Sequence, residues 1–346
     1  MSLKELLSEG EYVIYGAQVV AYGAYRAIDA LYGRRPVCFV VSSMEGNLSE
    51  IEGVPVRTPE AIPQGALVLL AVTELLQGEI LAGLQERGIE RVFPLTHHEE
   101  HLLMSAYYES IGLFPLLPDI QGSAPADLAI YEVWNERDKP LTNPPELFPY
   151  EHPIQAGAAL TGRRAASLTD DTGKNISCKN RQYCEMSAAY WVWKNTSHAW
   201  KGIEHYRRHL LVRPEQLQDG IDAVLPLPYL CCPNTAAQFR RFVSEPVLQA
   251  LLRALKELHP DRFEEYRSIL YGQYQYTYNL VCARTEVFDA YCRWFFQITE
   301  RMERMADEVP ALGNTRALSY VAEVLTNLYF MSGGWNVRHV EKAIYT

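Results

Sequence analysis

The side chains best suited to chemistry lie in the second half of the chain, in three groups. Asp170, Asp171 and Asn175 gather carboxylates and an amide, with Lys174 and Lys179 beside them. His205 is followed by Arg207 and Arg208 in GIEHYRRHLLV, and Glu323 stands alone in the apolar run YVAEVLTNLYF. Arginine keeps its charge and donates paired hydrogen bonds to phosphate oxygens. Carboxylates take up protons or bind hydroxyl groups. The combination suits a phosphate-bearing donor whose leaving charge must be met by fixed cations or by a metal ion. No D-x-D sequence, a common holder of such a metal, occurs, and Asp219 and Asp222 read as a turn and a strand start. Plainer roles also fit: a salt-bridged surface pair for Arg207 and Arg208, and a solvated turn for Asp170 and Asp171.

These groups need a framework. With 346 residues, 48% of them apolar, the chain can bury a large core and exceeds one average domain, so two domains are expected. A net charge of -10 argues against the basic surface of a nucleic-acid binder. Seven cysteines without a C-x-x-C pair suggest reduced thiols and a cytoplasmic protein. MSLKELLSEG is too polar for the core of a signal peptide, and no apolar run nears the roughly 20 residues of a membrane span.

The fold class expected is α/β: a small Rossmann-like parallel-sheet module over 1–120, then a larger α/β domain over 121–346. In the first, YVIYG, VCFVVSS, ALVLLAV and RVFPL read as strands, with helices over 19–32 and through Leu84. Gly16 opens a degenerate dinucleotide fingerprint, with Gln18 and Ala21 where further glycines belong. Nucleotide binding and a purely structural turn both remain open there. His97, His98 and His101 lie close together, but Thr96 and Glu99 form a capping-box pattern that places them on a solvated helix start. Pro115, Pro118, Gly122 and Pro125 mark the boundary. Beyond it, DLAIYEVW reads as a strand, followed by a proline-rich loop through Pro153. PIQAGAALTG offers small residues for close approach to a ligand. A helix carries Tyr183, Met186, Tyr190 and Trp193 as a core stripe, with Glu185 off it. GIEHYRRHLLV reads as a strand running into a loop, and DAVLPLP and YNLVCA as strands. Helices are expected over 245–258, 262–271, from a Thr285 cap to Met305, and over 315–331.

PIQAGAAL, DDTGKNIS, KNxxYCExxAxYWVWKN, GIEHYRRHL, YNLVCARTEVFDAYCRWFF and AEVLTNLYF, in this order, resemble a bacterial family of capsular and exopolysaccharide glycosyltransferases over roughly 127–340. The N-terminal module resembles the Rossmann-like modules that precede catalytic domains in bacterial sugar-modifying enzymes. The resemblance implies a GT-A-like fold and transfer of a hexosyl group from a nucleotide sugar, a UDP-sugar by preference, to a glycan or lipid-linked glycan in capsule, exopolysaccharide or O-antigen synthesis, met at the inner face of the membrane. It places Gln155 and Gly157 near the nucleotide, and Asp170, Asp171, Asn175 and Lys179 near the donor. His205, Arg207 and Arg208 fall at the diphosphate and Asn279 in the acceptor pocket. Glu323 and Asp171 compete for general base; Val324 stands where relatives carry an arginine. Two rivals are a non-catalytic scaffold of polysaccharide assembly and a nicotinamide-dependent sugar oxidoreductase working through the N-terminal module.

Overall fold

The computed structural model describes residues 3–119, 124–313 and 316–346. Gly122 of the expected boundary and Thr315 of the expected last helix lie outside them. The chain divides into two compact units, Met1–Leu113 with Tyr229–Cys232, and Phe114–Pro228 with Pro233–Thr346.

The first unit runs α1 (Leu3–Ser8), β1 (Tyr12–Tyr15), α2 (Val19–Tyr32), β2 (Phe39–Val40), β3 (Glu50–Ile51), β4 (Val54–Arg57), β5 (Leu67–Leu70), α3 (Glu74–Glu86), β6 (Val92–Pro94) and α4 (His97–Ser110). Its sheet has the order β3-β4-β2-β1-β5-β6, parallel except for β3. All four residues of β1 and of β5 are buried, as befits central strands covered on both faces. Gly16 leaves β1 with φ 124°, and a Cβ there would stand 2.5 Å from the Ala71 carbonyl oxygen. Close approach of two strand ends therefore requires this glycine without any ligand. Thr96 and Glu99 exchange both capping-box hydrogen bonds at the start of α4.

The second unit runs β7 (Leu128–Trp134), β8 (Glu151–Gln155), β9 (Leu168–Thr169), α5 (Asn180–Tyr183), α6 (Met186–Asn195), β10 (Trp200–His205), β11 (Arg208–Leu210) and β12 (Ala223–Pro226). After β13 (Tyr229–Leu230), which belongs to the first unit, come α7 (Thr235–Phe239), α8 (Glu245–Leu258), α9 (Phe263–Leu270), β14 (Tyr274–Gln275), β15 (Val281–Arg284), α10 (Thr285–Glu303), α11 (Ala317–Ser332), β16 (Val337–Val340) and β17 (Lys342–Ile344). Its sheet follows β16-β12-β15-β10-β7-β8-β9, with β11 bridging β10 to β17. β10, β7, β8 and β9 are mutually parallel. One face carries Ala129, Tyr131, Val133, Ile154 and Ile203 against the buried sides of α6, α10 and α11; the other carries Leu128, Ile130, Trp200 and Leu210. The period-two alternation of β7 and β10 thus feeds two cores at once.

Several expected elements differ. GIEHYRRHLLV is a β10–β11 hairpin, with His205 opposite Arg208. The helix expected around Tyr183 and Trp193 is broken at Cys184, where φ is 47°; Tyr183 and Met186 nevertheless lie in the core, with Tyr190 and Trp193 packed against it. YNLVCA yields a strand only from Val281, because Tyr278 and Asn279 have φ of 68° and 54°. Thr285 is the first residue of α10 rather than its cap, its hydroxyl donating to the His198 carbonyl. Pro153 belongs to β8, and β16 and β17 carried no sequence signal strong enough to be expected. Among the described residues, no helix is long and apolar enough to cross a membrane.

Candidate functional site

The chain leaves β7 toward β8 on one side and reaches β10 on the other side of β7, which makes the carboxyl ends of these strands a topological switch point. Open parallel sheets form their ligand crevice at such a point. A cleft of about 560 Å³ lies there, lined by Val133–Asp138 after β7, Ala156 and Leu160 after β8, His205 ending β10, and Asn180, Arg181, Cys184, Glu185 and Arg316 from the helical side.

A buried polar network fixes the floor of this cleft. Asp170, fully buried, accepts hydrogen bonds from the Gly157 and Ala158 amides (2.9 and 3.1 Å) and from the Ser177 and Ser187 hydroxyls (2.5 and 2.7 Å). Asn180 donates to Ser187 at 2.9 Å and accepts from Asn135 at 3.3 Å. Gly157 has φ 71°, and a Cβ there would lie 2.6 Å from the Asn180 side-chain oxygen. Asp170 is thus no solvated turn: its four donors consume its acceptor capacity and lock the 156–160 loop.

Other expected site residues are similarly committed. The Gln155 amide pins the next loop through the Arg163 carbonyl and the Ala165 amide. Asp171 accepts from Thr169 at 2.6 Å and faces Arg164 at 3.7 Å. Asn175 is exposed and caps its own turn through Ser177, and Lys179 pairs with Glu303 at 2.8 Å.

His205, Arg208, Asn279 and Glu323 do come together. Cross-strand pairing puts His205 and Arg208 on one sheet face. The Arg208 guanidinium lies 4.1 Å over the Tyr278 ring, and the Tyr278 amide donates to Glu323 at 3.2 Å. Asn279 donates to Glu185 at 2.7 Å and accepts from Thr326 at 3.1 Å. Burial first, then the Glu185 charge, pushes Glu323 up to about 7, while the Tyr278 amide, Arg208 and Arg316 oppose the rise. Burial likewise pushes Glu185 up. Burial, with Arg208, Arg207 and Arg316 nearby, pulls His205 down to about 3, so its ring is neutral at pH 7. Two interacting carboxylates, one biased toward protonation, can pass a proton at neutral pH. Arg207 and Arg208 are half-buried, and each has an Nε without a hydrogen-bond partner. Neither forms an ion pair among the described residues, so the salt-bridged surface pair considered from sequence is not what folds.

Four residues with left-handed backbone surround this cluster: Cys184, Tyr278, Asn279 and Arg316. Strain of this kind concentrates where function over-determines the backbone. Sequence reading passed over Glu185 except as off-stripe and missed Arg316, Asn135 and Asn180. The available signal for Glu185 and Asn180 was their place in the KNxxYCExxAxYWVWKN run.

A family model described as a domain of unknown function, DUF4422, matches residues 142–334, more than half of the chain. The chain belongs to the DUF4422 family. No curated protein matches it. Among solved structures, this DUF4422 protein is similar to the apo form of WbbM, a bifunctional glycosyltransferase, with TM-score 0.53 and 24% sequence identity. The match covers 63% of this chain and 45% of WbbM, so the chain spans less than half of that protein's length. The likeness shows a shared α/β fold.

Proposed function

We propose that this DUF4422 protein is a glycosyltransferase that moves a hexosyl group from a nucleotide sugar, a UDP-sugar by preference, to a glycan acceptor during capsule, exopolysaccharide or O-antigen assembly, with a lipid-linked acceptor met at the inner membrane face. The observation that carries the proposal is the pair Arg207 and Arg208, half-buried and without ion pairs among the described residues, next to His205 of a switch-point cleft lined by Glu185, whose pKa burial raises as it does that of nearby Glu323. The bond between the sugar's anomeric carbon and the diphosphate breaks, and the leaving charge falls to Arg207 and Arg208. The acceptor oxygen bonds to that carbon and its proton passes to an ionised carboxylate, Glu323 first and Glu185 second. Asn279 orients Glu185 and lies on the acceptor side. The fold shared with WbbM, itself a bifunctional glycosyltransferase, lends support. Asp170 and Gln155 act by holding the loops that shape the donor cleft, which replaces direct donor contact as their role in this proposal.

Calorimetry with a panel of nucleotide sugars, with and without manganese, tests it. One UDP- or GDP-sugar should bind, and Arg208→Ala should weaken it about 10–100-fold without changing the melting temperature. Unchanged affinity would remove Arg208 from the site. Failure of every donor to bind, together with no transfer to acceptor extracts, would favour a scaffolding role instead.

A further inference from the structure

On the sheet face opposite His205 and Arg208, four ionisable side chains are closed off from solvent: Glu132, Glu151, Glu204 and His209, between 1% and 7% exposed. The same alternation that turns His205 and Arg208 toward the helices turns Glu204 and His209 the other way, where the neighbouring strands β7 and β8 add Glu132 and Glu151.

The hydrogen bonds leave a gap at one point. His209 Nε2 lies 3.2 Å from Glu132 Oε1, and the other Glu132 oxygen accepts the Trp134 indole N–H at 2.7 Å. Glu204 Oε2 takes the Leu210 amide at 3.1 Å, and Glu151 Oε2 takes the Phe148 amide at 2.7 Å. The second oxygens of Glu204 and Glu151 each stand 3.5 Å from His209 Nδ1. Glu204 Oε1 is buried without a hydrogen-bond partner.

A separation of 3.5 Å is long for a charge-assisted hydrogen bond, which closes to about 2.7–2.9 Å. It matches the edge of a coordination tetrahedron, about 3.4 Å when metal–ligand bonds are about 2.1 Å. One ligand atom from each of Glu151, Glu204 and His209 lies within 4.8 Å of the others. Behind the imidazole, Glu132 supplies the carboxylate partner that fixes the ring of a metal-binding histidine.

We propose that Glu151 Oε1, Glu204 Oε1 and His209 Nδ1 form a structural site for one divalent transition-metal ion, zinc by its fit to mixed imidazole and carboxylate ligands, with Glu132 as the positioning residue for His209. The site joins the amino end of β8 and the carboxyl end of β10 to β11 on the sheet face opposite His205 and Arg208, so the ion braces the hairpin that carries Arg207 and Arg208. It stands on its own geometry and does not depend on the proposed transfer reaction.

Elemental analysis of the full chain, loaded with zinc and dialysed into metal-free buffer, should find about one zinc per chain. Stripping with a chelator should lower the melting temperature by several degrees, zinc and not magnesium should restore it, and cobalt substitution should give visible d–d bands of tetrahedral intensity. Glu204→Gln should reduce retained zinc at least about tenfold. Folded wild-type protein that retains no zinc, shows no cobalt bands and melts alike with and without the ion overturns the proposal, whether or not the variants fold. Because no donor is present, loss of nucleotide-sugar binding would leave this result untouched.

Discussion

Glu323 shows how a single side chain acquires a function from its surroundings. Nothing in YVAEVLTNLYF sets its proton affinity; burial on α11 and the charge of Glu185 do, raising it to about 7. A general base must be ionised, so the proposed transfer rate should rise with pH through about 7 and level off above it. Glu323→Gln should lower kcat by about 10²–10⁴-fold while donor affinity holds. A rate profile flat across this range, or a variant of undiminished kcat, would pass the role to Glu185. The neutral His205 ring beside Arg208 adds no positive charge at neutral pH; it suits packing and orientation of the hairpin.

Secondary-structure elements act through their breaks as much as through their lengths. The helix containing Tyr183 and Trp193 stops at Cys184 and restarts at Met186, which delivers Glu185 at a helix start. The strand expected from Tyr278 instead begins at Val281, freeing Tyr278 and Asn279 to hold the two carboxylates from left-handed backbone. The 156–160 loop depends on Asp170, whose loss would strand two amides and two hydroxyls in the interior. Asp170→Ala should therefore cost about 3–5 kcal/mol of stability, read from urea unfolding. Were Asp170 chiefly a ligand to the donor, affinity would fall with stability intact, and the supporting role assigned here would be wrong.

At the scale of the whole chain, acid stability should follow from histidines the fold keeps neutral. His339 in β16 is 2% exposed; it lies 3.1 Å from the Pro115 carbonyl and 2.8 Å from the Tyr276 hydroxyl, and burial pulls its pKa down to about 4. A depressed histidine leaves stability intact above the unfolded value near 6.5 and erodes it as pH falls toward about 4, because the unfolded chain takes up a proton that the fold refuses. The loss from His339 alone approaches about 1.4 kcal/mol per pH unit in that window. Unfolding free energies measured from neutral to mildly acidic pH should show this slope, and His339→Gln should reduce it; an equal slope in the variant would mean that other groups govern acid unfolding.

The sequence by itself determined the α/β class, most helices and buried strands and the capping box of α4, because period-two and helical spacing and local capping are written in neighbouring residues. It also singled out His205, Arg207, Arg208 and Glu323 as candidates by residue type and setting, and Asn279 through motif likeness. Only tertiary structure showed that Asp170 and Gln155 spend their side-chain hydrogen bonds on the loops around them and that Lys179 pairs with Glu303. It alone brought Glu185 and Arg316 to the cleft, and Glu132, Glu151, Glu204 and His209 into one buried cluster. Such groups come from distant segments, and their chemistry arises from desolvation and convergence, which no stretch of neighbouring residues encodes.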